Sequence, residues 1–370
     1  MQESIIKPAS AGLIDEFVRQ VKHNCNISDA KFWGYYSICG LLMRYRELYR
    51  NEHSLMPWDS MENEQITLWI QEREKLWREL EDLELQRLIV EGTLYDPFDV
   101  NGLNAGLSEF GLVYGSGYGA FNKPTFFVAV LASARDLFDY RVHYTGRELC
   151  RDIAAAPAML QGRCIYVRTE VIEQLVWDRF QDTKAHPHNV PAETMFSHYG
   201  IFRSDDASPA LYKEIHHLAG EAAEVFVMHE VGEACEDVFD DDWHEMLSEG
   251  CDKATELFLR GIKDVRADTS PYGPLKTIAD RRNPRQLSIL VAFMDGIRRE
   301  IFPELRGALH HFLEENDWSL IEGARVAGYR RAERLQAEAV KRWRETHDTA
   351  ALARYVRDEF PRPGSKSGNE

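Results

Sequence analysis

The stretch Gly111–Leu131, GLVYGSGYGAFNKPTFFVAVL, decides the fold class. GLVYGSGYG and PTFFVAVL are rich in aromatic and β-branched residues and meet at a turn around Asn122–Pro124, the pattern of two strands joined by a tight connection. The glycines of GSGYG do not spell a dinucleotide loop. Such a loop follows a strand and opens a helix, whereas here a turn and another strand follow. DYRVHYTG (139–146) and CIYVR (164–168) extend the sheet. Between them, GRELCRDIAAAP (146–157) starts as a short helix that Pro157 stops, and TEVIEQLVWDRFQDT (169–183) is a further helix capped by Thr169. With the turn-rich GTLYDPFDVNGLNAG ahead of them, these elements make a small α+β unit over residues 91–185.

On either side the pattern is helical. In the N-terminal helical region, residues 1–90, Ser10–Cys25 carries apolar Leu13, Phe17 and Val21 at a four-residue period, and Asn26–Asp29 supplies a break and the next cap. Residues 30–53 are apolar on nearly every face, so that helix is expected inside the domain. A third, amphipathic helix over 61–88, capped by Asp59 or Ser60, presents Ile66, Trp69, Ile70, Trp77 and Leu80 to a core. HPHNVPAET and FRSDDASP read as linkers. A C-terminal helical domain over 206–360 then opens on Ser208 as cap and Pro209 in the first turn. Its later helices are expected at Asp242–Val265, Pro284–Ile301, Phe302–Glu315, Trp318–Arg344 and Thr349–Phe360, before a disordered tail over 361–370. The expected fold class is therefore α+β, mainly helical, with a small antiparallel sheet in the middle and a helical C-terminal half.

Charge narrows the function classes. With 61 acidic against 44 basic residues the net charge is −17, the reverse of a nucleic-acid footprint, and anionic membranes are excluded on the same ground. The start lacks a basic segment followed by an apolar one, and the longest apolar run, TFFVAVLASA, is half the ~20 residues that a spanning helix needs. Six cysteines (Cys25, Cys39, Cys150, Cys164, Cys235, Cys251) stand singly, without a C-x-x-C pair. A cytoplasmic chain is expected.

The motif that carries chemistry is His229-Glu230-Val231-Gly232-Glu233, in VFVMHEVGEACEDVF. Zinc peptidases place two histidines one helical turn apart with a glutamate base between them. Here Glu233 stands where the second histidine would be. On a helix, Val227, Val231, Ala234, Cys235 and Val238 form an apolar stripe, with His229, Glu233 and Glu236 opposite it and Glu230 alongside. That geometry alone turns them to water. The all-apolar Val225–Met228 just ahead, with Phe226 on the stripe of His229 and Glu233, argues for partial burial, where metal ligands sit in helix bundles.

A divalent ion, zinc, iron or manganese, would take His229 and Glu233 as ligands, with Glu230 as catalytic base. The third ligand is left open among His217, which forms an E-x-x-H pair with Glu214, and Glu236, His244, Glu47 and Glu52. Only one E-x-x-H pair occurs, which counts against a di-iron oxygenase. A second place of interest is Arg44, Arg46, Glu47 and Arg50 in the helix 30–53, either an ion-pair network or a pocket binding an anionic cofactor or small molecule.

Three blocks, YSICGLLMRYRELYRNE, GRELCRDIAAAPAMLQGRCIYVR and HEVGEA, resemble an uncharacterised bacterial protein family. Tyr36, Cys39, Leu42, Arg46, Glu47, Tyr49, Arg50 and Glu52 match its first block. Asp152, Ala154, Pro157 and Met159 match the second, and His229, Glu230, Gly232 and Glu233 the third. Asn51 departs from the pattern, which has an aromatic residue there. The resemblance implies no function.

Two functional expectations follow. One is a metal-dependent enzyme, most plausibly a hydrolase, built on HEVGE. The other is a non-enzymatic interaction module: residues 221–249 hold eleven acidic residues and no Lys or Arg, a surface on which a basic protein partner would dock.

Overall fold

The computed structural model describes residues 8–186, 190–236, 241–249, 251–294 and 296–360. The chain divides into two compact units, Met1–Asp182 with Asp206–Ala223, and Thr183–Asp205 with Glu224–Glu370. It is α+β and mainly helical, and its C-terminal half is helical.

In unit one the sheet consists of β3 (Leu112–Tyr118), β4 (Pro124–Leu137), β5 (Tyr140–Arg151), β6 (Ala158–Gln161) and β7 (Cys164–Arg168), in the order β3-β4-β5-β7-β6. Its pairs are antiparallel except β5 with β7, which run parallel. A separate antiparallel hairpin of β1 (Leu88–Val90) and β2 (Thr93–Tyr95) precedes it. Phe126, Phe127, Val128 and Ala129 of β4 are all 0% exposed, so both faces are covered and the strand reads as a continuous apolar run. GSGYG is largely strand: a Cβ on Gly115 would come within 2.1 Å of the Phe127 ring, so the glycine makes room for that ring. The turn lies beyond it, where Phe121 and Asn122 adopt φ of 59° and 53°.

One expected helix is a strand. GRELCR continues β5 to Arg151, which pairs with Phe127, because ladder bonds and burial outweigh local helix preference.

The N-terminal helices are also divided differently. α1 runs unbroken over Pro8–Phe32, a 3-10 turn follows at Trp33–Tyr35, and α2 spans Ile38–His53. The polar residues read as a break, Asn26 to Asp29, are buried and bonded, as is Asn24 just ahead of them. Asn24 exchanges hydrogen bonds with Gln86 at 2.7 Å, and Asn26 Oδ1 accepts from Arg73 at 2.6 Å and Trp77 at 3.1 Å. Asp29 takes Lys123 Nζ at 2.9 Å. Nor is α2 wholly internal: Tyr45, Glu47, Leu48 and Tyr49 are buried, but Ile38 is 81% exposed. α3 ends early, spanning Asn63–Leu80, and its N-cap residue Glu62 makes no side-chain cap bond.

Where β4 begins and β5 ends, the buried Lys123 joins Asp29 and Asp152, the latter at 3.0 Å. Burial pushes Asp29 up to about 7, against the pull of Lys123. Burial acts the same way on Asp152, but Lys123 and hydrogen bonds from Thr125, Phe126 and Ala154 prevail and hold it below the usual range. Asp152 thereby fixes the chain just after β5. α4 (Val100–Leu107), α5 (Thr169–Ala185, as far as Asp182) and the first part of α7 (Pro209–Cys235) complete the unit.

Unit two holds α6 (Val190–Ser197), the rest of α7 from Glu224, α8 (Asp241–Ser248), α9 (Lys253–Thr269), α10 (Pro274–Arg281), α11 (Pro284–Phe293), α12 (Ile297–Ile301), α13 (Pro303–Glu315), α14 (Trp318–Thr346) and α15 (Thr349–Glu359). Its core gathers around α9, where Phe258, Leu259, Ile262 and Val265 are fully buried on one face. That spacing of three and four residues is the apolar stripe of a packed helix. Among the described residues, no helix is long and apolar enough to cross a membrane.

Candidate metal centre

Gly232 positions the site. A Cβ there would lie 2.3 Å from the carbonyl oxygen of Ala267 and 3.0 Å from Cα of Gly273, so α7 passes α9 at a distance only glycine permits. The close approach sets His229 and Glu233, one turn apart on α7, against Asp264 and Asp268, one turn apart on α9. One donor atom from each of His229, Glu233 and Asp264 lies within 4.8 Å of the others. His229 Nε2 is 4.0 Å from Asp264 Oδ1. Two donors each about 2.1 Å from a shared ion stand roughly 3 to 4 Å apart, so a small side-chain rotation closes the set.

The other imidazole nitrogen is held from behind. His229 Nδ1 is 2.8 Å from Asp268 Oδ1, and Asp268 is 1% exposed. This carboxylate–histidine pair is the arrangement that fixes the tautomer and orientation of a metal-binding imidazole. The other Asp268 oxygen, Oδ2, is buried without a hydrogen-bond partner and has only Arg298 Nη1 at 3.8 Å. Arg298, on α12, is anchored by donating from Nη2 to the Phe293 carbonyl at 2.6 Å. Lys263 Nζ sits 2.5 Å from Glu233.

Charge follows from this geometry. Burial alone would lower the pKa of His229, but Asp268, through charge and hydrogen bond, then Asp264 and Glu230 outweigh it and raise it to about 10. Burial lifts the Asp264 carboxyl, with His229 and Arg298 acting against the shift. Four carboxylates, Glu230, Glu233, Asp264 and Asp268, thus gather with two basic side chains, Lys263 and Arg298. The field that retains a proton on the imidazole equally favours a divalent ion at Nε2, which would neutralise the remaining charge.

His229 and Glu233 are partly buried, at 16% and 21% side-chain exposure, and do not face open water as helix geometry alone implies. Glu236 is engaged elsewhere: its carboxylate accepts from Arg266 Nε at 2.6 Å and from the Tyr329 hydroxyl at 3.0 Å. His217 belongs to unit one, 55% exposed between Glu214 and Glu221 at 3.6 Å each. Glu52 is bound by Arg73, Trp69 and Lys22, and His244 is exposed on α8. Arg44, Arg46, Glu47 and Arg50 lie in unit one, where Arg44 Nη1 meets the buried Glu47 at 2.7 Å. The acidic run also finds cations within the chain, Glu233 with Lys263, Glu236 with Arg266 and Asp242 with Arg344. Of that run, residues 237–240 lie outside the described residues.

Sequence reasoning missed Asp264 and Asp268. Their signal is the i, i+4 spacing in GIKDVRADT, the same spacing as His229 and Glu233.

Residues 16–168 match the N-terminal domain, and residues 173–360 the C-terminal domain, of a family of unknown function, DUF6866. The chain belongs to this family. The boundary between the two domains falls where β7 passes into α5, and the His229 cluster lies wholly in the C-terminal domain. No curated protein and no solved structure matches the chain.

Proposed function

We propose that this DUF6866 protein is a divalent-metal enzyme of the hydrolase class, with the ion held by His229, Glu233 and Asp264. The observation that carries the reading is the pairing of His229 Nδ1 with the buried Asp268, which leaves Nε2 turned toward Asp264. One imidazole and two carboxylates suit zinc, manganese or ferrous iron. Such an ion lowers the pKa of a bound water and supplies a nucleophile near neutral pH. Glu230, next to His229 and adding to its negative field, would serve as the base for a water held there. Lys263 and Arg298 balance part of the carboxylate charge. A cytoplasmic location belongs to the same proposal and is supported by six cysteines that are all free thiols.

Docking of a basic partner on residues 221–249 has less support, since Glu233, Glu236 and Asp242 are already paired within the chain.

The test is Glu230→Gln in metal-loaded protein, screened with wild type against chromogenic ester, phosphoester and amide substrates. The proposal expects equal metal content and turnover lost only in the variant. Turnover by wild type and variant at the same rate contradicts the role of Glu230. A protein that binds no metal contradicts the whole reading.

A further inference from the structure

In unit one, α2 is apolar on two faces, and the fold covers only one of them. The helix opens at Ile38 on the Ser37 side chain, which accepts from Gly40 N at 3.1 Å. Its inward side is settled: Leu41, Tyr45 and Leu48 pack with Ile27, Trp77 and Leu80 in one core cluster. Ile38, Cys39, Leu42 and Met43 lie on the other side, at i, i+1, i+4 and i+5, and all four are exposed. A stripe of that spacing is what a helix ordinarily turns to a core, and here it is turned outward. Trp33 and Tyr35, in the 3-10 turn just ahead, extend it, and Tyr35 is steadied by the Phe121 ring stacked at 4.9 Å.

Size and charge set this face apart. Ile38 is 81% exposed, and Trp33, Tyr35, Leu42 and Met43 between 45% and 50%. Together they leave on the order of 500 Å² of side chain in water, at the upper end for the largest apolar patch of a monomer and over half of the ~800 Å² each partner gives to a standard interface. Residues 33–43 (WGYYSICGLLM) hold no charged residue, in a chain of net charge −17. Two copies of so acidic a chain repel wherever carboxylates meet, and on this face none do. Residues 1–7 do not reach it: they span at most ~25 Å, whereas the 25 residues of α1 set it about 37 Å from Pro8. Residues 361–370 (PRPGSKSGNE) offer no large apolar side chain to fill it.

We propose that this face of α2 is the contact between two copies of the chain, paired across a two-fold axis with the helices antiparallel. In such a contact residue i meets residue j and j meets i. A centre midway between Cys39 and Leu42 sets Ile38 against Met43 and Cys39 against Leu42, so that each apolar side chain meets another. Arg46, next on the same stripe, then faces the Trp33–Tyr35 turn of the other copy, a cation over aromatic rings. A parallel crossing would oppose Arg46 to its own counterpart. The face lies in unit one and the His229 cluster in unit two, so pairing needs no metal.

The experiment follows the mass of the full-length protein by sedimentation over a wide range of concentration. Twice the 42.7 kDa of one chain is expected at the upper end. Leu42→Glu buries a charge without a partner and should weaken association about a hundredfold or more. Leu313→Glu, at an exposed leucine of α13, should leave the mass unchanged. Cys39 is the exposed one of six free cysteines, so a bifunctional maleimide should join two wild-type chains but not two chains of Cys39→Ser. That crosslink keeps the test decisive should Leu42→Glu lose its helical signal. A monomer at every concentration overturns the proposal, whether the face is bare or covered within its own chain. So does a dimer that Leu42→Glu leaves intact.

Discussion

Gly232 lies against the carbonyl oxygen of Ala267 so closely that a Cβ would stand 2.3 Å from it. The atoms it would meet belong to backbone, so the strain of a larger residue is not absorbed by a side-chain rotation. Gly232→Ala should destabilise the protein by about 1–3 kcal/mol in denaturant titrations, the usual cost of overpacking. Gly220, on the same helix with nothing within 4 Å of its Cβ position, is the control. Gly220→Ala should raise stability by up to about 1 kcal/mol, because alanine favours a helix interior. Equal effects of the two substitutions would show that α7 and α9 are not in backbone contact.

In the proposed site Asp268 would act on the metal through His229. Asp268→Asn keeps the size of the side chain and removes its charge. Metal affinity in chelator competition should fall about 10- to 100-fold, the range for groups that orient a ligand. Unchanged affinity would mean that the imidazole does not bind the ion.

In the proposed site Lys263 would compete with the ion, its ammonium standing 2.5 Å from Glu233. Lys263→Met removes the competing charge, and metal affinity should rise several-fold, most clearly at low salt, since exposed charges are screened within about 8–10 Å. Lower affinity in this variant would show that Lys263 supports the ligand set.

How far the site and fold were legible depends on where each partner lies in the chain. The i, i+4 spacing put His229 and Glu233 on one helical face, a local matter that periodicity captures. Asp264 and Asp268 escaped because they join that face only through the close passage of two helices at Gly232, which no local pattern encodes. Asn26 and Asp29 misled in the opposite way. Polar residues close together read as a helix break, yet each is satisfied by a distant residue, Arg73 and Lys123 in turn, and α1 runs through them. GRELCR misled because its pairing with β4 is a tertiary event. The strands around Gly111–Leu131 were readable because a doubly covered strand spells a continuous apolar run.

Asp178 makes stability depend on pH. Burial first, then Glu47, push its carboxyl from 3.8 to about 6, against the pull of Gln174, Arg50 and Arg44. The folded protein therefore binds a proton more tightly than the unfolded chain, and this contribution favours folding at low pH and is lost as pH rises from about 4 to 6. Asp178→Asn should remove that fall and leave the variant more stable than wild type above pH 6, by on the order of 1–2 kcal/mol. The difference in melting temperature between the two proteins, followed from pH 4 to 8, checks the sign. A difference that does not grow with pH would contradict it.

The central claim is that one ion is held jointly by α7 and α9. Mass-spectrometric metal analysis of full-length protein, dialysed against zinc, manganese or ferrous iron and then freed of loosely bound ions, tests it most directly. The account predicts close to one ion per chain in wild type. It predicts essentially none in His229→Ala/Asp264→Ala, with the helical circular-dichroism signal retained. Full metal content in that double variant, or none in wild type under every loading condition, would contradict it.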